Sequence, residues 1–247
     1  MIANLEPAGY TSRTMSTLDT LTAAFAPIHR QGWPFVGGFL LAAIVLGFLW
    51  EPLFWLGLVA TAWCAYFFRD PPRVTPDDPT IVVSPADGMV QSVMPRRPPP
   101  ELELGDRPLT CVSVFMNVFD VHVNRTPVAG TIVRRAYHHG AFVNASFDKA
   151  SDENERQSFK LRTATGREVG LVQIAGLVAR RIVAFANEGQ SLPPGERIGL
   201  IRFGSRCDVY LPDGAVPLAL VGQIATAGET VIADLEGRHQ PRQGRRS

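Results

Sequence analysis

Two long apolar arms occupy the first third of the chain, and a different pattern follows them. Residues 34–50 carry no charge, Glu51-Pro52 interrupts the run, and residues 53–68 are apolar again. Neither arm alternates, so both read as helices that are apolar on every side. With 17 and 16 residues, the arms sit at the short edge of a bilayer span, which takes roughly 20. The pattern predicts a membrane-anchoring helical hairpin over 34–68, either spanning or re-entering from one leaflet. Together the arms are too long for the apolar core of a signal peptide, and no clean cleavage site follows. A hairpin buried in a soluble core is the alternative, but the remaining chain is small for covering it. Residues 1–33 read as a polar, partly disordered lead, with a short amphipathic turn over 21–28. Residues 69–79 contain four prolines and read as an extended linker. Arg30 before the arms, and Arg69 and Arg73 after them, put both ends on the cytoplasmic side.

From Thr80 the chain changes to short alternating runs punctuated by Gly and Pro. Strands are expected at 81–83, 89–90, 109–119, 128–134, 159–163, 169–174 and 199–210, with 219–232 closing the domain. Residues 179–186 suit a strand or a short helix. The charged stretch 151–157 reads as a loop or one helical turn. The expected fold is β-rich, all-β or α+β, over 80–236, followed by a disordered basic tail at 237–247. Pro194-Gly195-Glu196-Arg197-Ile198-Gly199 is echoed by Ala227-Gly228-Glu229-Thr230-Val231-Ile232. These phrases, with Ser84-Pro85-Ala86-Asp87-Gly88, resemble those of biotinyl and lipoyl carrier folds and of membrane-fusion adaptors. Barrel-like, carrier-domain-like repeats are therefore expected, and a membrane-anchored β-domain adaptor without catalysis is one reading of function. Against it, Lys149 and Lys160 lie away from both echoes, where a carrier needs a lysine, and no coiled-coil heptads are present.

Charge and composition narrow the choices. A formal net charge of +1 gives no basis for a nucleic-acid partner. Of the 24 basic residues only Lys149 and Lys160 are lysines. Arg suits oxyanions, although a coding bias explains the total equally well. Cys64, Cys111 and Cys207 are odd in number and widely spaced, which gives neither a disulfide framework nor a metal site.

Several residues can carry chemistry. Gly204-Ser205 interrupts the alternating run 199–210. The pair reads as a β-bulge, or as a hydroxyl placed to attack the preceding carbonyl. Asp87 sits in a Pro-Ala-Asp-Gly turn, where its default role is bonding to turn amides. Asp120, His122 and Asn124 share one face at period two, which suggests a pocket wall or a satisfied polar network. Arg125 is an anion ligand or an edge charge. Arg180 and Arg181 point to opposite sides of an extended run, so one can meet a phosphate. Asn144, Lys149, Asn154, Glu155 and Arg156 read by default as a solvated loop.

Taken together, Ser84-Pro85-Ala86-Asp87-Gly88, the run from Asn117 to Arg125, Asp148-Lys149-Ala150-Ser151, Asn154-Glu155-Arg156 and Gly204-Ser205 resemble the short bacterial and archaeal type of phosphatidylserine decarboxylase. The resemblance covers about residues 33–234. It implies a proenzyme that breaks itself between Gly204 and Ser205. The Ser205 hydroxyl attacks the Gly204 carbonyl, and elimination and hydrolysis leave a pyruvoyl cofactor at 205. The substrate amine forms a Schiff base with that group, and phosphatidylserine becomes phosphatidylethanolamine and carbon dioxide. It further implies Asp87 orienting His122 as base, a pocket drawing on Arg125, Asn144, Arg180 and Arg181, and tight association of chains 1–204 and 205–247. No metal is implied. Long-type relatives carry two histidines near 122. Here Arg125 stands at the second position, so His122 takes both roles or shares them with His138 or His139. The anchor suits an inner-membrane enzyme facing the cytoplasm, working on an anionic lipid surface, with a homo-oligomer compatible. A pyruvoyl decarboxylase of a soluble amino acid is the remaining alternative, and it would not need residues 34–68.

Overall fold

A computed structural model describes residues 26–140, 154–176, 181–202 and 205–244. The expectations for the polar lead up to residue 25 and for the last three residues of the tail lie outside them, as do Asn144, Lys149, Arg180 and Gly204.

Helix α1 is Trp33–Gly47 and α2 is Glu51–Phe67. Pro34 and Pro52 stand in the first turns, where a missing N–H costs nothing. Glu51 adds a negative charge at the N-terminus of α2, which suits the helix dipole. The helices touch closely because glycines face small or flat neighbours. A Cβ on Gly57 would stand 2.5 Å from the Ala43 Cβ. Away from that seam the pair stays bare: Leu41, Phe48, Trp50, Trp55 and Val59 are all exposed. Among the described residues, no helix is long and apolar enough to cross a membrane.

The strands are β1 (Ile81–Val83), β2 (Gly88–Arg96), β3 (Leu109–Met116), β4 (Val123–Arg125), β5 (Gly130–His138), β6 (Arg156–Arg162), β7 (Glu168–Ala175), β8 (Ile182–Ala184), β9 (Ser191–Leu192), β10 (Arg197–Ile201), β11 (Ser205–Tyr210), β12 (Val216–Pro217), β13 (Ile224–Ala225) and β14 (Val231–Asp234). They form an eight-stranded sheet, β13-β2-β3-β11-β7-β6-β5-β9, and two three-stranded sheets, β1-β14-β12 and β4-β10-β8. The main core fills the space between them, with Val82, Val114, Ile132, Leu171, Ile198 and Val209 fully buried.

This order contains a duplication. Pairing β1 with β4, β2 with β5, β3 with β6, β11 with β7, β12 with β8, β13 with β9 and β14 with β10 maps each three-stranded sheet onto the other. The same pairing maps each half of the large sheet onto the other. Backbone bonds repeat across the axis: the Val83 N–H donates to the Pro127 carbonyl at 2.8 Å, and the Arg125 N–H to the Pro85 carbonyl at 2.9 Å. Gly195 and Gly228, in the two echoed turns, have φ of 75° and 76°, a left-handed conformation that glycine adopts freely. The second unit, β4 to β10, is inserted between β3 and β11 of the first. Where β6 and β7 are joined by a short turn, β3 and β11 are separated by the whole inserted unit.

Several expectations change. Residues 199–210 do not form one interrupted strand. Residues up to 201 belong to a small sheet, and those from 205 belong to the centre of the large one. The charged stretch expected as a loop contributes Arg156 to β6, because its charges have buried partners: the Arg156 Nε lies 2.5 Å from a Glu101 carboxylate oxygen. The proline linker is docked along the domain. Asp70 is buried between Arg197 at 2.6 Å and Arg125 at 3.4 Å. The Val74 N–H donates to Glu229 at 2.9 Å, and Thr75 fills the space over Gly195 and Gly228.

Candidate active site

Ser205 opens β11, the strand paired on both sides by β3 and β7. Its ladder partners are Met116 and Ala175, and its side chain is fully buried. The hydroxyl faces the Met116 sulfur at 3.7 Å, a weak acceptor that leaves the oxygen lone pairs uncommitted. Asn124 donates to the same sulfur at 3.4 Å and accepts from the Gln173 Nε2 at 2.7 Å. Asn154 donates to the Ala175 carbonyl at 2.6 Å, which pins the strand edge beside Ser205. These four neighbours are buried and uncharged, so the hydroxyl sits in a dry, weakly polar niche.

The next residue turns the other way. Arg206 and Asp208 lie on the opposite face of β11, both fully buried, with Nε and Oδ1 2.9 Å apart. Asp208 stands opposite Ser113 in the ladder, while Leu102, Cys111 and Tyr210 pack in an apolar cluster on that side.

His122 is fully buried just before β4. Its Nδ1 lies 2.9 Å from the Asp120 carbonyl. A carbonyl only accepts, so Nδ1 carries the proton and Nε2 is left basic. The Phe67 ring, from the last turn of α2, lies against the imidazole with centroids 4.1 Å apart. Burial lowers the imidazole pKa to about 4, opposed by the Asp120 carbonyl and aided by Arg69. The His122 carbonyl accepts from the Ile201 N–H at 3.2 Å, which ties this segment to the chain entering the 204–205 region.

Asp87 is spoken for in a different way from the sequence expectation. One oxygen accepts from Arg73 at 2.6 Å and the other from the Ala227 N–H at 2.7 Å. Among the described groups, the Asp120 carbonyl is the one bonded to the His122 ring. Asp87 remains close enough for its charge to help burial raise the Asp120 carboxyl pKa.

Arg125 is buried and donates to the Gly195 carbonyl at 2.8 Å, to the Pro71 carbonyl at 3.0 Å and to Asp70. It acts as a brace between the inserted unit and the linker. Arg181 is exposed beside β8. His138 ends β5 and is exposed. It pairs with Arg156, which pairs with Ile174, which pairs with Arg206. That row lies three strands from Ser205, roughly 14 Å away, and on the opposite face. His139 stacks edge-on against Tyr137. His138 thus stands apart from Ser205. Sequence reasoning did not assign Met116, Gln173 or Phe67 to this site. Asn124 carried a signal in its shared face with His122, and Asn154 in the Asn-Glu-Arg motif.

The site joins a buried serine hydroxyl at the head of a central strand, a desolvated imidazole with a fixed tautomer, and a β-rich duplicated scaffold. The class it defines is a β-sheet protein with a buried serine hydroxyl and a buried imidazole in its interior. Comparison with known proteins makes that class specific. A family model described as phosphatidylserine decarboxylase matches residues 60–233. A phosphatidylserine decarboxylase proenzyme from Paramagnetospirillum magneticum is 58% identical over 218 residues, covering 88% of this chain and 91% of that protein. The chain belongs to the phosphatidylserine decarboxylase family.

Proposed function

We propose that this chain is a self-processing decarboxylase of phosphatidylserine. The observation that carries the reading is the placement of Ser205. It is a fully buried hydroxyl at the head of the central strand, immediately after the bond where the family motif puts the break.

In this reading His122 Nε2 takes the Ser205 hydroxyl proton as Oγ attacks the Gly204 carbonyl carbon. The C–N bond breaks and the nitrogen is protonated, which leaves an ester. Loss of the Ser205 α-proton then expels the Gly204 carboxylate, and residue 205 becomes dehydroalanine. Its imine tautomer takes up water and releases ammonia, leaving the pyruvoyl group. The residues present suit this group: Ser205 is buried between its ladder partners Ala175 and Met116, which bring no charge to it. Once formed, the group supplies an electrophilic carbonyl that takes up the electron pair freed as carbon dioxide departs.

The chain's other residues bind and orient. Asp87, holding Arg73 and the 227 turn, fixes the linker beside Asp120 and His122. The exposed Arg181 is available to the lipid phosphate or carboxylate. The bare helix pair inserts into the cytoplasmic leaflet of the inner membrane. Its helices, roughly 22 and 25 Å long at 1.5 Å per residue, are shorter than a hydrocarbon core of about 30 Å, which favours insertion from one side. Phe119, exposed, has its carbonyl held by Arg69 at 2.8 Å, so an apolar ring continues the lipid-facing surface toward His122.

The test is release of labelled carbon dioxide from seryl-labelled phosphatidylserine in anionic vesicles. Wild type is expected to be active and Ser205→Ala inert. Release from free serine but none from the lipid would favour the soluble-substrate alternative, and no release from either would remove the decarboxylase reading.

A further inference from the structure

The helix pair does more than attach to the domain. Cys64, Phe67 and Phe68 of its base share one buried cluster with Val121, Val123 and Leu200, and Phe35, Trp63 and Phe185 pack against it. Val121 and Val123 are the chain neighbours of His122, and Phe67 brings the cluster against the imidazole ring. The His29 N–H donates to the Phe68 carbonyl at 2.8 Å, and the Asp70 N–H to the Pro27 carbonyl at 2.7 Å. The chain just after Phe67 is therefore fastened to the segment that precedes α1. The Phe67 ring is itself fully buried and tilted 32° against the imidazole.

We propose that Phe67 is a positioning residue of the active site: its ring seats and dries the His122 imidazole, so the helix pair completes the base that drives self-cleavage. This rests on the reading of function given above.

The geometry gives the contact two tasks. One ring face of His122 is covered, and the Asp120 carbonyl holds Nδ1. Rotation of the imidazole would lose both contacts, so Nε2 keeps one direction. The cover also excludes water, which keeps the imidazole neutral. Among the described residues, these charged groups stand near it. Arg69, following α2, acts on it directly. Asp120, in its own loop, accepts from the Asn117 N–H at 2.8 Å, and Asp87 lies behind Asp120. Arg202, after β10, is turned to Gln31 at 3.1 Å and over the Phe35 ring. Removing the Phe67 ring admits water and lets the imidazole titrate nearer its ordinary value of about 6.5.

The experiment measures self-cleavage of the full chain in lipid nanodiscs as a function of pH, for wild type, Phe67→Ala and Phe67→Leu. Trp55→Ala, on the exposed side of α2, serves as a control for the helix pair. The expected result is a loss of about tenfold for Phe67→Ala at pH 5.5 that closes toward pH 8, since a base with a pKa near 6.5 is about one-tenth neutral at the lower pH. Phe67→Leu, which keeps an apolar cover, should hold the wild-type midpoint, and Trp55→Ala should leave the profile unchanged. A Phe67→Ala profile superimposable on wild type overturns the proposal. So does a loss equal at every pH, which would mark a purely structural role. If Phe67→Ala does not fold, Phe67→Val is judged by the same two criteria. Absence of cleavage in wild type would instead overturn the reading of function, and the two failures are distinct.

Discussion

At the residue scale, the site is built from groups whose burial fixes their chemistry. His122 is neutral because protonating it inside the cluster is costly. Its pKa of about 4 lies below the unfolded value of about 6.5. Between those two pH values the unfolded chain binds a proton that the folded chain refuses. Stability should therefore fall as pH is lowered from 6.5 toward 4 and should not depend on this group above 6.5. The full effect is about 3 kcal/mol. Urea midpoints of uncleaved Ser205→Ala protein at pH 7 and pH 5 measure it, and adding His122→Phe should flatten the dependence. The Arg206–Asp208 pair gives a second prediction. Both groups are fully buried, so Asp208→Ala removes the buried counter-charge beside Arg206 and should cost about 3–5 kcal/mol, read in the same unfolding assay. A loss below about 1 kcal/mol would mean that the pair does not hold β11 in register.

At the element scale, the seam between α1 and α2 depends on Gly57. A larger side chain there meets the Ala43 Cβ and backbone, 2.5 and 2.8 Å from the position of a Cβ. Gly57→Leu should part the helices at a cost of about 1–3 kcal/mol. Faster proteolysis within the loop joining them would report it, and unchanged proteolysis would contradict the packing. The two helices were legible in the sequence because uncharged runs bounded by Pro admit little else. The strand expected at 159–163 was legible too, but its start at Arg156 was not, because the charges there look solvated until Glu101, distant in sequence, is placed beside Arg156. The roles of Asp87 and Arg125 were obscured for the same reason. Their partners Arg73, Ala227, Asp70 and Gly195 come from other parts of the chain. Met116, Gln173 and Phe67 are apolar or amide residues whose relation to Ser205 and His122 exists only once β3, β7 and α2 are assembled.

For the whole molecule, the duplication explains where the break falls. Gly204-Ser205 lies where the chain leaves the inserted unit and re-enters the first, at the position taken by the β6–β7 turn in the other unit. One half of the repeat was readable as the Pro-Gly-Glu and Ala-Gly-Glu phrases. The matching pair, Ser84-Pro85 with Gly88 and Thr126-Pro127 with Gly130, shows its meaning only through the reciprocal bonds between Val83 and Pro127 and between Arg125 and Pro85. Cutting there frees no strand. Residues 205–247 contribute β11 between β3 and β7, β13 against β2, and β14 against β1. The two fragments should therefore co-purify through size exclusion and part only in denaturant. Separation under native conditions would contradict this topology.

The measurement that tests the central claim most directly is the intact mass of the purified full-length protein, followed by sequencing of its smaller fragment. The account predicts two chains divided between Gly204 and Ser205. The smaller should be closed to Edman degradation and lighter by one ammonia than the same fragment beginning with serine. A single uncleaved chain, or a 205–247 fragment with an ordinary serine amine, would contradict it.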